Sequence, residues 1–132
     1  MAIHPRYAER ILSGDKRVEF RKVSFANAIS HVVMYATDPI RRVVGFFKVL
    51  GIEQASPHEL WRRHQRHSGI EKNLFFAYYS KRDTGVAIRV GEVVGLKSPK
   101  TLAALGDDGV PPQSFRYLPS DVVDELTRAN IK

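Results

Sequence analysis

No cysteine occurs among the 132 residues. That absence removes disulfides, thiolate nucleophiles and sulfur-rich zinc sites together, and it fits a reducing compartment. Long apolar runs are missing as well, since nothing approaches the ~20 residues that a membrane-spanning helix needs. The N-terminus lacks the charged-then-apolar layout of a signal peptide, so the sequence reads as cytoplasmic, with no membrane partner. Metal chemistry has little to stand on. His64 and His67 are three apart and His58 is near, but with no Cys and no HExxH pattern they make no zinc set. No metal and no cofactor are expected. Acidic residues are in short supply too, 14 against 21 Lys and Arg, a formal charge of +7. An excess of that size favours polyanionic partners.

What is present suffices for one folded domain. Hydrophobic residues make up 43% and charged residues 27%, ordinary for a globular chain with a real core. Residues 1–132 are read as a single domain, without repeats or linkers. Pro5 suits the first turn of a helix; Tyr7, Ala8, Ile11 and Leu12 recur at helical spacing, and Gly14 ends the segment. From Arg17 the period becomes two, with Val18 and Phe20 on one face and Arg17, Glu19 and Arg21 on the other. Lys16 sits in the turn, where parity assigns it no direction. "HVVMYAT" (31–37) and "RVVGFFKVLGI" (42–52) read as strands, the first stopped by Asp38-Pro39, the second bent at Gly45 and Gly51. Ser56, Pro57 and Glu59 announce a helix with a capping box, carrying Leu60, Trp61 and the basic run to His67. A further helix sets Leu74, Phe75, Tyr78 and Tyr79 on its apolar side, and a strand follows from Gly85. Ser120 caps a closing helix. Strands split by helices and bent at glycines predict an α+β fold: a small mixed, mainly antiparallel β-barrel with helices packed at its side.

The stretch "GDKRVEFR" reads Gly14-x-Lys16-x-x-Glu19-x-Arg21, and in this spacing the chain resembles the ASCH family, whose barrel is similar to the PUA fold. The order around it fits: a short helix before the motif, "MYATDP" on the next strand, and "PPQSF" near the end. The resemblance implies an opening strand for which only Met1–His4 are available, so a stub, or a natural start upstream of Met1, is expected. It also implies a cleft beside the motif strand that takes RNA or a nucleotide-like ligand, DNA being admitted as a partner. Relatives include RNA-binding modules, ribonucleases and hydrolases that deacetylate N4-acetylcytidine. In the last of these a Thr nucleophile occupies the position that is Glu19 here, and a carboxylate does not replace an alcohol nucleophile.

Three readings of the motif stay open. Lys16, Glu19 and Arg21 are either an ordinary exposed strand face with weak ion pairs, or a polar site whose side chains converge in one concave region. A buried structural pair between Glu19 and Arg21 is a third possibility. In the site reading, Lys16, Glu19, Arg21, Tyr35, Thr37, Gln113, Ser114 and Phe115 bind the ligand; the cations take phosphate, Glu19 accepts from a base amine, and aromatics stack. If the chain is an enzyme, Lys16, Glu19 and Ser114 are the catalytic candidates. Arg62, Arg63, Arg66, Lys72, Lys81 and Arg82 form the expected nucleic-acid surface, each weighed against a plain solvated helix face.

Overall fold

α1 (Pro5–Ser13) takes its start from Pro5 and from His4, whose Nδ1 accepts the Arg6 amide at 3.2 Å. It stops at Gly14, which sits in the left-handed region with φ 91° and returns its N–H to the Ile11 carbonyl. The left-handed conformation favours glycine there, because a Cβ would crowd the backbone. The computed structural model describes residues 1–25 and 29–101. The expected strand stub is β1 (Ala2–Ile3); β2 (Val18–Arg21), β3 (His31–Ala36), β4 (Arg42–Ala55) and β5 (Gly85–Lys100) complete the strands. β4 runs past the Ile52 boundary that the sequence suggests, because it pairs with β5 down to the Ala55–Gly85 end. α2 (Pro57–His64) and α3 (Lys72–Tyr78) stand between them, with a single 3₁₀ turn (Gln65–His67) after α2.

The five strands form one sheet in the order β1-β3-β4-β5-β2. β1 runs parallel to β3, and every other neighbour is antiparallel. The architecture is therefore mixed α+β, with three α-helices. It is not a closed barrel among the described residues, since β1 and β2 remain edges. Those edges nevertheless approach each other, because the Arg21 guanidinium on β2 donates to the Ala2 carbonyl on β1 at 2.8 Å. The curl has a local cause: register shifts fall between Val43 and Gly45, Phe47 and Val49, and Val49 and Gly51, and each such irregularity bends and twists the strand that carries it.

Side chains alternate across β3. Val32, Met34 and Ala36 join Ile11, Phe47, Val86 and Ile88 in the main core under α1, while Val33 and Tyr35 join Val43, Phe46 and Leu96 on the opposite face. A third cluster ties β2 to the helices: Val18, Phe20 and Ala87 pack on Leu60, Phe75 and Tyr79. Burying a side chain such as Phe47 or Phe75 stabilises the fold by about 2–3 kcal/mol. In α2, Ser56 Oγ accepts the Glu59 amide at 3.2 Å, one half of a capping box. The other half is replaced, because the Glu59 carboxylate turns to Arg62 and Arg63. In α3 the buried stripe is narrower than the sequence suggests. Phe75 and Tyr79 are enclosed, whereas Leu74 and Tyr78 stand exposed.

Candidate functional site

The turn out of α1 decides where Lys16 points. Its amide donates to the Arg10 carbonyl at 2.9 Å and the Arg17 amide to the His67 carbonyl at 2.8 Å, so the segment is pinned from both sides. Lys16 is thereby carried inward and is only 2% exposed. Its Nζ donates to the Ser68 carbonyl at 2.5 Å, lies 3.7 Å from Glu19 Oε1, and faces the rings of Tyr7 and Phe20 at 5.4 and 5.3 Å. Gly69, with φ 62°, makes room for it; a Cβ there would stand 2.5 Å from Lys16 Cβ. Glu19 is buried as well, and its Oε2 accepts from Arg21 Nη2 at 3.1 Å. The exposed-strand reading of the motif is thus overturned: two of its three charges lie inside the molecule.

These three residues line one concave region of about 400 Å³. β1 and the start of α1 give one wall (Ile3, His4, Arg6, Tyr7), α3 and the turn before it give the other (Ile70, Leu74, Phe75, Tyr78), and β2 lies between them. The cavity occupies the seam between the two edge strands. An apolar cavity with a few convergent polar groups is the common form of a small-ligand site. Arg21 Nε is buried without a hydrogen-bond partner among the described residues.

Burial lowers the Lys16 pKa below the usual lysine range, and the Glu19 carboxylate opposes the shift. A base whose folded pKa lies below its unfolded one binds protons less readily when folded, so stability rises with pH between the two values. The chain is expected to gain stability as pH climbs toward the ordinary lysine value of 10.5, and Lys16→Met should remove that rise. Denaturant titrations at several alkaline pH values check this; identical slopes in both proteins would mean that Lys16 is not perturbed by folding.

Other expected site residues lie elsewhere. Tyr35 is buried in the second apolar cluster, and Thr37 at the end of β3 gives its N–H to the Ile3 carbonyl; neither lines the cavity. Tyr35 lies on the face of β3 away from the main core, and Thr37 follows the last residue of that strand. Gln113, Ser114 and Phe115, like the closing helix after Ser120, lie outside the described residues. Arg62 and Arg63 are not free cations. Both bond Glu59, and Arg63 also reaches Glu53 at 3.0 Å. Glu53 further meets His64 at 2.8 Å and Arg89 at 3.7 Å. The two arginines hold the Glu59 carboxyl down at about 2. Arg66, Lys72, Lys81 and Arg82 are exposed. The histidines gather no metal set, as no group of three His, Cys, Asp or Glu is suitably placed among the described residues. Among the same residues, no helix is long and apolar enough to cross a membrane.

Sequence reasoning missed His4, Arg6, Ile70 and the Ser68–Gly69 turn. The His4 cap ahead of Pro5 is a local signal that could have found the first of these; nothing in the sequence connects Ser68 to Lys16, fifty-two residues earlier.

Comparison with known proteins agrees with this architecture. A family model for the ASCH domain matches residues 1–103. The chain is 27% identical over 129 residues to a Zymomonas mobilis protein named ASCH domain-containing ribonuclease, covering 96% of this chain and 87% of that one. It is 30% identical over 104 residues to the large ribosomal subunit protein uL22 of Ureaplasma parvum, covering 79% of this chain. The chain spans only a third (33%) of that relative's length. The crystal structure of ASCH from Zymomonas mobilis superposes with a TM-score of 0.87 at 26% identity, covering 100% of this chain and 94% of that one.

Proposed function

We propose an RNA-binding role for this chain, which belongs to the ASCH domain family. The observation that carries the reading is the buried Lys16–Glu19–Arg21 group beside a cavity of about 400 Å³ walled by aromatic and aliphatic side chains. An unstacked base fits such walls, Glu19 accepts from its exocyclic amine, and Lys16 and Arg21 donate to a carbonyl or phosphate oxygen. The net charge of +7 supports a polyanionic partner. Residues 1–132 are read as one PUA-like domain in a cytoplasmic protein, its curled sheet a barrel left open along the β1–β2 seam; the Arg21–Ala2 hydrogen bond supports the curl.

Ribonuclease activity is the second reading, favoured by the name of the Zymomonas relative and by the burial of Lys16, which readies an amine to accept a proton. N4-acetylcytidine deacetylation is the less favoured hydrolase reading, because Glu19 stands where that chemistry takes a Thr nucleophile and here pairs with Lys16 and Arg21. One experiment addresses both readings. Short single-stranded RNAs are expected to bind less tightly as salt rises, and Lys16→Met should weaken binding about tenfold, the effect of losing one charge-assisted hydrogen bond. Equal affinity in Lys16→Met would remove the cleft from the binding site. Shortened RNA products, seen by mass and lost in Lys16→Met well beyond the loss of binding, would establish the ribonuclease.

A further inference from the structure

Three cations that meet no carboxylate among the described residues, Arg6, Lys22 and Arg82, sit by the two lips of the cleft. On one lip, Arg6 lies 5.0 Å over the Tyr7 ring and donates to its hydroxyl at 2.9 Å, with the His4 ring 5.8 Å from the same tyrosine. On the other, Lys22 lies 4.9 Å over the Tyr78 ring and Arg82 donates to the Lys22 carbonyl at 3.0 Å. Tyr7 and Tyr78 both line the cavity, from α1 and α3 respectively. Among the described residues, Arg6, Lys22 and Arg82 meet no carboxylate, in contrast to Arg62 and Arg63. Tyr78 and Leu74 are 36% and 39% exposed at the mouth.

We infer that the cleft takes one nucleotide of a continuous single-stranded RNA, whose neighbouring nucleotides lie on these two lips. The inference rests on the RNA-binding reading above and gives it a direction. Each lip pairs an aromatic face with cations, the combination that holds bases by stacking and phosphates by charge without reading sequence. Lys22 and Arg82 do not line the cavity. A free nucleotide seated inside would leave them unused, whereas a strand crossing the seam from α1 to α3 engages both lips. The α2 face does not serve this purpose, because Glu53 and Glu59 neutralise most of its charge.

The test compares a fluorescent six-nucleotide single-stranded RNA of mixed sequence with the four nucleoside 5′-monophosphates. The hexanucleotide should bind at least tenfold more tightly than any monophosphate. Tyr78→Ala should weaken the hexanucleotide about tenfold, and the exposed pair Lys22→Glu/Arg82→Glu should weaken it similarly and flatten its salt slope by about 1.4, for two phosphate contacts on a single strand. Monophosphate binding should change less than twofold in the Lys22→Glu/Arg82→Glu variant, whose residues do not line the cavity, and Arg62→Ala/Arg63→Ala should leave the hexanucleotide unaffected. Monophosphates binding as tightly as the hexanucleotide, lip variants without effect, or equal affinity for a duplex would overturn the strand path. If Lys16→Met alone has no effect while the lip variants do, the lips stand and the cleft reading fails.

Discussion

Glu19→Gln is expected to destabilise the chain by about 3–5 kcal/mol, the usual consequence of removing one partner from a buried ion group. For a domain of this size that is a fall in Tm of roughly 10–20 °C. The cause is specific to this site. Glu19 is the only carboxylate facing both Lys16 and Arg21 among the described residues, at 3.7 and 3.1 Å. With an amide in its place, the buried ammonium keeps only the Ser68 carbonyl and two aromatic faces. The double variant Lys16→Met/Glu19→Gln should recover a good part of the loss, because the uncompensated charge goes with its counterion. Thermal and denaturant melts of the two variants measure both terms. A single variant that melts within about 3 °C of the native chain would show that water reaches Lys16 freely.

The second large effect is expected at a residue with no side chain. Gly69→Ala should cost about 2–5 kcal/mol. Part is the left-handed conformation at φ 62°, which disfavours any Cβ by about 1–2 kcal/mol. The rest is overpacking of about 1–3 kcal/mol, since the new methyl would lie 2.5 Å from Lys16 Cβ and 2.8 Å from Cγ. Those are the root of the lysine, not its flexible end, so the clash cannot be relieved by a rotation at Nζ. The carbonyl of Gly69 also accepts from Arg10 at 2.6 Å, which ties the turn to α1 and limits its retreat. Any Gly69→Ala protein that remains folded should lose RNA affinity about as Lys16→Met does. Full stability with full binding would mean that the turn relaxes away from the lysine.

How much of this was legible depends on the reach of each interaction. α1 was readable because its signals are local: Pro5, the apolar spacing and Gly14 act within one segment. The spacing Lys16-x-x-Glu19-x-Arg21 marked the site, but alternation could not place Lys16, which precedes the strand. Its inward course is set by Arg10, His67 and Ser68, partners contributed by α1 and by the 3₁₀ turn. Tyr35 was readable as core or as a stacking residue, because an aromatic on a strand carries no mark of which face is covered. Similarly, the basic run in α2 looked free. The Glu59 partner was near enough in sequence to foresee at helical spacing, whereas Glu53 lies on β4 and meets Arg63 only through the tertiary fold.

Arg21 has a second consequence, for association between chains. The ends of an open sheet carry unmatched backbone groups that invite a foreign strand, and proteins guard them with charged residues. Here one guanidinium answers for both ends at once: it belongs to β2 and occupies the Ala2 carbonyl of β1. The residue that lines the cleft thus also fills one of these unmatched groups. Retention of this arginine in a related sequence is therefore weaker testimony to ligand binding than its place in the cleft suggests, because its bond to Ala2 gives the fold a reason of its own to keep it.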